Sequence, residues 1–122
     1  MKKLLTTLCL VLLSSCSQPD GPYETFHDNG QLSFRGNIVD GEPNGLFEYF
    51  HDNGQLEFRG DVVDGKGEGL FETFHENGQL RLRGNNVDGE TDGLSEYFDE
   101  NGNLTGTETY RNGELVEENN NA

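Results

Sequence analysis

Basic residues are scarce in this chain. Across 122 residues, eight Lys and Arg stand against 23 Asp and Glu, a formal net charge of −15 with the histidines neutral. A field of that sign repels phosphate backbones and anionic lipid surfaces, which excludes nucleic acid as a partner and favours cationic ones. Apolar residues are also few, at 31%, and low apolar content with high charge ordinarily marks disorder. Cysteine is limited to Cys9 and Cys16. The mostly apolar run from Leu4 to Leu13 is well short of the roughly 20 residues that a membrane-spanning helix needs. Catalytic signatures are missing too: the sequence holds no Gly-x-Ser-x-Gly, no Walker loop and no His-Glu-x-x-His. These gaps point to a non-enzymatic protein with no cofactor and no metal centre.

The amino terminus supplies the first positive signal. Met1-Lys2-Lys3 is a basic start, Leu4 to Leu13 is a short apolar stretch, and Leu13-Ser14-Ser15-Cys16 sets two small residues before a cysteine. That order predicts a lipoprotein signal peptide over residues 1–15. Cys16 is then the lipidated first residue of the mature chain, and residues 16–20 are a short tether. Cys9 leaves with the leader and Cys16 is consumed by the lipid, so no thiol remains for a disulfide. The expected location is the cell envelope, anchored to a membrane through Cys16. In a bacterium with two membranes, Ser17 in the second position favours the outer one, on its periplasmic or surface side. Loss of Lys2 and Lys3 leaves six basic residues against 23 acidic, a formal charge of −17.

Glycines overturn the expectation of disorder. Fifteen of the 17 fall on four columns at a spacing of 24: Gly21, Gly45, Gly69, Gly93; Gly30, Gly54, Gly78, Gly102; Gly36, Gly60, Gly84; and Gly41, Gly65, Gly89, Gly113. A fixed period of this kind marks tandem structural units. Between the columns recur Phe26-His27-Asp28-Asn29-Gly30-Gln31-Leu32, Phe50-His51-Asp52-Asn53-Gly54-Gln55-Leu56, Phe74-His75-Glu76-Asn77-Gly78-Gln79-Leu80 and Phe98-Asp99-Glu100-Asn101-Gly102-Asn103-Leu104. Asn-Gly between β-forming residues predicts a hairpin closed by a type I′ turn. With Asn53-Gly54 at the turn centre, His51 faces Leu56, Tyr49 faces Phe58 and Phe47 faces Gly60 on one side of the sheet. On the other side Phe50 faces Glu57 and Glu48 faces Arg59. The same register opposes Glu24 to Arg35 and Glu72 to Arg83 as cross-strand ion pairs, and sets Tyr23 over Gly36 and Phe71 over Gly84. In the fourth unit the aromatic becomes Ser95 and the glycine becomes Glu108.

Val39-Asp40-Gly41 and its equivalents supply the return turns. The expected fold is therefore all-β: an elongated antiparallel meander of four tandem 24-residue hairpins over residues 21–117. Eight strands about 4.8 Å apart make a sheet on the order of 40 Å long, with a disordered tail at 118–122.

An aromatic, then Asn-Gly-Gln-Leu, then Gly, then Asp-Gly is a pattern that resembles the bacterial MORN-repeat variant family of YwqK-type antitoxin-like proteins, from Gly21 to about Glu117. The resemblance implies a curved, elongated sheet of stacked hairpins used for binding or scaffolding, with an antitoxin role for some members. Eukaryotic MORN proteins are linked to phospholipid contact, but this chain lacks the basic surface such contact needs.

Three columns invite a site. His27, His51 and His75 recur about 9.6 Å apart, too far to share one metal ion, which leaves hairpin-end packing on Leu32, Leu56 or Leu80. The acidic return loops, such as Asp64-Gly65-Lys66-Gly67-Glu68, offer oxygen ligands for calcium but match no full calcium-loop spacing, and solvated turn charge is the plainer reading. Phe26, Phe50, Phe74 and Phe98 share a face with the Glu/Arg pairs. With Arg35, Arg59 and Arg83 they form the candidate binding face, suited to an extended polypeptide or a glycan, with core packing as the alternative. The leading expectation is a protein-binding or scaffolding module that contacts a protein, such as an envelope protein, or an envelope polymer. The alternative is an antitoxin or immunity protein that neutralises a basic toxin.

Overall fold

A computed structural model describes residues 19–120. The leader and Cys16 lie outside the described residues. Eleven strands follow in chain order: β1 Gly21–Phe26, β2 Leu32–Val39, β3 Glu42–Pro43, β4 Gly45–Phe50, β5 Leu56–Val63, β6 Lys66–Phe74, β7 Leu80–Val87, β8 Glu90–Thr91, β9 Gly93–Phe98, β10 Leu104–Arg111 and β11 Glu114–Asn120. They form one antiparallel sheet in the order β1-β2-β4-β5-β6-β7-β9-β10-β11, with β3 against β2 and β8 against β7. The all-β meander read from the period is the observed fold. It exceeds eight strands for two reasons. A break before Gly45 and Gly93 splits two of the return strands into a short and a long piece, and β11 adds a row beyond the fourth hairpin. The boundary at residue 117 needs correction accordingly: Glu118, Asn119 and Asn120 pair with Glu108, Thr107 and Gly106, because the unsealed edge of β10 offers them a ladder.

The type I′ geometry expected at the Asn-Gly turns is not found there. At the Asn-Gly turns, the His51 N–H donates to Gln55 O at 2.8 Å and the Gly54 N–H to His51 O at 2.9 Å. Gly54 has φ 90°, while Asn53 stays out of the left-handed region. This is a three-residue turn ending in a left-handed glycine. Such a turn shifts the register by one, pairing Phe50 with Leu56. An irregularity at Glu57 then shifts it back, so Tyr49 faces Phe58, Glu48 faces Arg59 and Phe47 faces Gly60, as expected. The expected pairings of His51 with Leu56 and of Phe50 with Glu57 do not form. The type I′ geometry sits instead at the return turns, where Asp64 has φ 51° and Gly65 φ 78°. Aspartate tolerates this region because its short carboxylate can interact locally with the backbone.

The sheet is a single layer with almost no core. Ile38, at 5% exposure, is the only buried apolar side chain among the described residues. Cohesion therefore comes from rows of side chains that repeat along the array, each touching its counterpart one repeat away.

Candidate functional site

One face carries the predicted Phe/Arg/Glu rows. The structure brings Phe50, Phe74, Phe98, Arg35, Arg59 and Arg83 together, but the ion pairs run differently from the expected ones. Arg35 reaches Glu48 of the next repeat at 2.7 Å, Arg59 reaches Glu72 at 2.5 Å and Arg83 reaches Glu96 at 2.9 Å. Glu48 and Glu72 each have an arginine on both flanking strands, as in the opposed pairs Arg35 with Glu48 and Glu48 with Arg59, whereas Glu96 has Arg83 on one side and Thr107 on the other. The contact formed is the one between repeats. The same guanidiniums lie over the next repeat's rings, Arg35 over Phe50 at 5.5 Å, Arg59 over Phe74 at 5.8 Å and Arg83 over Phe98 at 5.9 Å. A half-exposed ion pair contributes about 0.2 to 1 kcal/mol, and an exposed cation on a ring roughly 0.5 to 1 kcal/mol. Towards the return turns, this face also leaves Leu46, Leu70 and Leu94 about half exposed.

The Asn-Gly edge is a second set of junctions. His27 Nε2 lies 2.7 Å from Phe50 O, His51 Nε2 2.9 Å from Phe74 O, and His75 Nε2 2.9 Å from Phe98 O. A carbonyl only accepts, so each Nε2 carries the proton. Beside them, Asn29, Asn53 and Asn77 donate through Nδ2 to Asp52 O, Glu76 O and Glu100 O at 2.6, 2.7 and 2.8 Å. Asp99 ends the row: its carboxylate turns back to accept from the N–H groups of Asn101 and Asn103, both at 2.9 Å. The bond to the Asn103 N–H is the main cause holding its pKa below the usual value. On the return edge, Glu68 Oε2 accepts from Asp88 N–H at 2.9 Å and Asp92 Oδ1 from Asn112 N–H at 3.1 Å. Among the described residues, no three His, Cys, Asp or Glu side chains converge as a metal ion would require.

The opposite face holds what the sequence reading passed over. Tyr23, Phe34, Phe47, Tyr49, Phe58 and Phe71 run along it, with neighbouring ring centroids 5.0 to 6.4 Å apart. The glycines of the third column let these rings lie on the backbone, although the covering ring varies. Over Gly36 and Gly60 it comes from Phe34 and Phe58 of the same strand; over Gly84, where Leu82 replaces that phenylalanine, it is Phe71 from the facing strand. A depression of about 360 Å³ opens here, lined by Phe47, Tyr49, Glu57, Phe58, Thr73 and Arg81. Thr73 Oγ1 is buried and has no hydrogen-bond partner, a state that disfavours the closed surface by about 1 to 3 kcal/mol. A signal for this site was present in the sequence. The repeats differ at the column Ser33, Glu57, Arg81, Thr105 and alternate at Thr25, Tyr49, Thr73, Tyr97, and both columns lie on this face.

At the carboxyl-terminal end the aromatic row stops. Ser95, 2% exposed, stands where Phe47 and Phe71 stand in earlier repeats. Glu108 Oε1 accepts from the Tyr97 hydroxyl at 2.5 Å and the Tyr110 hydroxyl at 2.8 Å. The bond to Glu108, then burial, pushes the Tyr97 phenol well above its ordinary value of 10.0.

Fold and rows together define a tandem-repeat sheet in which every unit is tied to the next by arginine, histidine and asparagine side chains. The chain belongs to the MORN repeat variant family, whose model matches residues 19–40, 43–64, 67–85 and 91–112. No curated protein matches it. The crystal structure of TarM is similar over 97% of this chain and 24% of that chain, at 18% identity and a TM-score of 0.49. This chain thus spans about a quarter of that protein's length.

Proposed function

We propose that the chain is a non-enzymatic module, lipid-anchored in the cell envelope through Cys16, that acts by binding a protein partner. The observation that carries this reading is the uncovered single-layer sheet: its rings line both faces, and Ile38 alone is buried among the described apolar side chains. Aromatic surface left open in this way gains free energy when a partner covers it. The groups that would otherwise suggest chemistry are engaged structurally. His27, His51 and His75 sit on carbonyl oxygens, and Arg35, Arg59 and Arg83 on carboxylates. A tether of residues 17–20 reaches at most about 14 Å, so an anchored Cys16 would hold β1 near the bilayer.

The regular Phe26/Phe50/Phe74/Phe98 face suits a scaffold role and the irregular opposite face suits a specific partner. An antitoxin or immunity role is the second reading, favoured by the net charge of −15, which would draw a basic toxin. The test has two arms. Labelling with radioactive palmitate should mark the wild-type chain and not Cys16→Ala. A pull-down from detergent-solubilised envelope should yield one dominant protein that is lost when either face is stripped of its rings in a variant that still folds. An unlabelled wild type would remove the anchor, and an eluate indifferent to both faces would remove the binding role.

A further inference from the structure

The geometry points to a specific peptide-binding site at Thr73, one that takes an aromatic side chain from an extended segment of a partner protein, flanked by a basic and an acidic residue. The inference rests on the binding reading above and assigns its site. In the Thr25, Tyr49, Thr73, Tyr97 column, Thr73 stands between two repeats that carry tyrosine. The depression of about 360 Å³ beside it therefore occupies the space a tyrosine ring fills in its neighbours, walled by Phe47, Tyr49 and Phe58. Thr73 lines the depression, and its Oγ1 is buried with its hydrogen-bonding capacity unused. An incoming ring supplies the missing aromatic contact, and a backbone or hydroxyl group beside it can partner Thr73.

The rim supplies direction. Glu57 and Arg81 occupy equivalent positions in adjacent repeats and both line the depression. Neither side chain has an ion pair or hydrogen bond among the described residues, unlike those of Arg35, Arg59 and Arg83. Equivalent positions in adjacent repeats lie about 9.6 Å apart, which an extended segment of roughly three residues spans. A ligand with a Lys or Arg at one end and an Asp or Glu about three positions away can then pair with Glu57 and Arg81 at once, its aromatic residue lying between. The chain's net charge of −15 favours a segment drawn from a basic protein.

The probe is a library of random dodecapeptides displayed on phage and selected against the full chain. Two variants test the site. Thr73→Tyr fills the depression with a residue the fold already accepts at Tyr49 and Tyr97, and its folding is checked by circular dichroism. Glu57→Arg combined with Arg81→Glu keeps the net charge and reverses the local field. The expected result is a consensus with an aromatic residue between a basic and an acidic one. Its affinity should fall at least tenfold on Thr73→Tyr, and the order of its charges should invert on the double exchange. A consensus that binds Thr73→Tyr equally well overturns the site. Binding lost only when Phe26, Phe50, Phe74 and Phe98 are changed to Ser overturns it too, while leaving the binding function standing. Self-association in sedimentation velocity that Thr73→Tyr abolishes would make the occupant a second copy and overturn the proposal, as would no enrichment at all.

Discussion

His51 Nε2 sits 2.9 Å from the carbonyl oxygen of Phe74, 23 residues on, and so ties one hairpin turn to the next repeat. The same bond recurs from His27 and His75. In a sheet without a core, junctions of this kind contribute a large share of stability. A hydrogen bond contributes about 0.5 to 1.5 kcal/mol net. His51→Ala should lower the unfolding free energy by about 1 kcal/mol in urea titrations. His27→Ala, His51→Ala and His75→Ala should add nearly independently, since each acts at its own junction. A substitution without effect would mean the histidines merely lie against the turn.

The placement of the type I′ geometry makes opposite predictions at turn residues on either end of β5. Asp64 holds φ 51°, so Asp64→Ala should destabilise by about 1 to 2 kcal/mol, and Asp64→Asn or Asp64→Gly by much less. Asn53 is outside the left-handed region and donates to Glu76 O. Asn53→Gly should therefore destabilise, by roughly 1 kcal/mol, through backbone freedom and the lost bond. Were the Asn-Gly turn of type I′, Asn53→Gly would be close to neutral. Thermal denaturation of the four variants separates the two geometries.

Close packing on the aromatic face grades two glycine substitutions. A Cβ at Gly60 would meet Phe58 Cε1 at 3.1 Å, whereas one at Gly84 would meet Phe71 Cζ at 2.7 Å and Ser95 Oγ at 2.9 Å. Overpacking costs typically about 1 to 3 kcal/mol. Gly84→Ala should lie towards the upper end of that range and Gly60→Ala towards the lower, measured by chemical denaturation. Equal effects would show that the Phe71 ring moves aside freely.

Alkaline pH should loosen the carboxyl-terminal cap. Tyr97 is held neutral by its hydrogen bond to Glu108 and by burial, with its folded pKa raised above 10.0. The folded state then keeps a proton that the unfolded state gives up. Its contribution is full below about pH 10 and declines as pH rises from there towards the folded value. Stability of the wild type should fall over that window, and Tyr97→Phe should flatten the fall. An unchanged slope would place the titrating group elsewhere.

Much of the fold was legible because the glycine columns impose the period and the Glu/Arg pairs impose the register. The turn type was not. A three-residue turn shifts the ladder by one and the irregularity at Glu57 shifts it back, so Glu48 opposes Arg59 under either geometry and the charges cannot distinguish them. Ion-pair partners were hidden similarly, since Glu48 has an arginine on each side and only side-chain reach selects Arg35 over Arg59. The histidine bonds need the 23-residue offset between a turn and the next strand, which a 24-residue repeat does not reveal. Of the candidate surfaces, the Phe/Arg face followed from repetition. The Thr73 depression lies where the repeats differ, in columns that a search for regularity sets aside.

The binding role is tested most directly by photo-crosslinking in intact cells, with p-benzoylphenylalanine placed in the full chain at Tyr49 on one face, at Leu70 on the other, and at Asn101 on the turn edge. Tyr49 and Leu70 are 43% and 54% exposed, so a probe at either should leave the fold intact. A discrete protein adduct from at least one face, absent from the edge position, is the predicted result. Adducts from neither face, or from the edge alone, would contradict a module that works by covering its sheet with a partner.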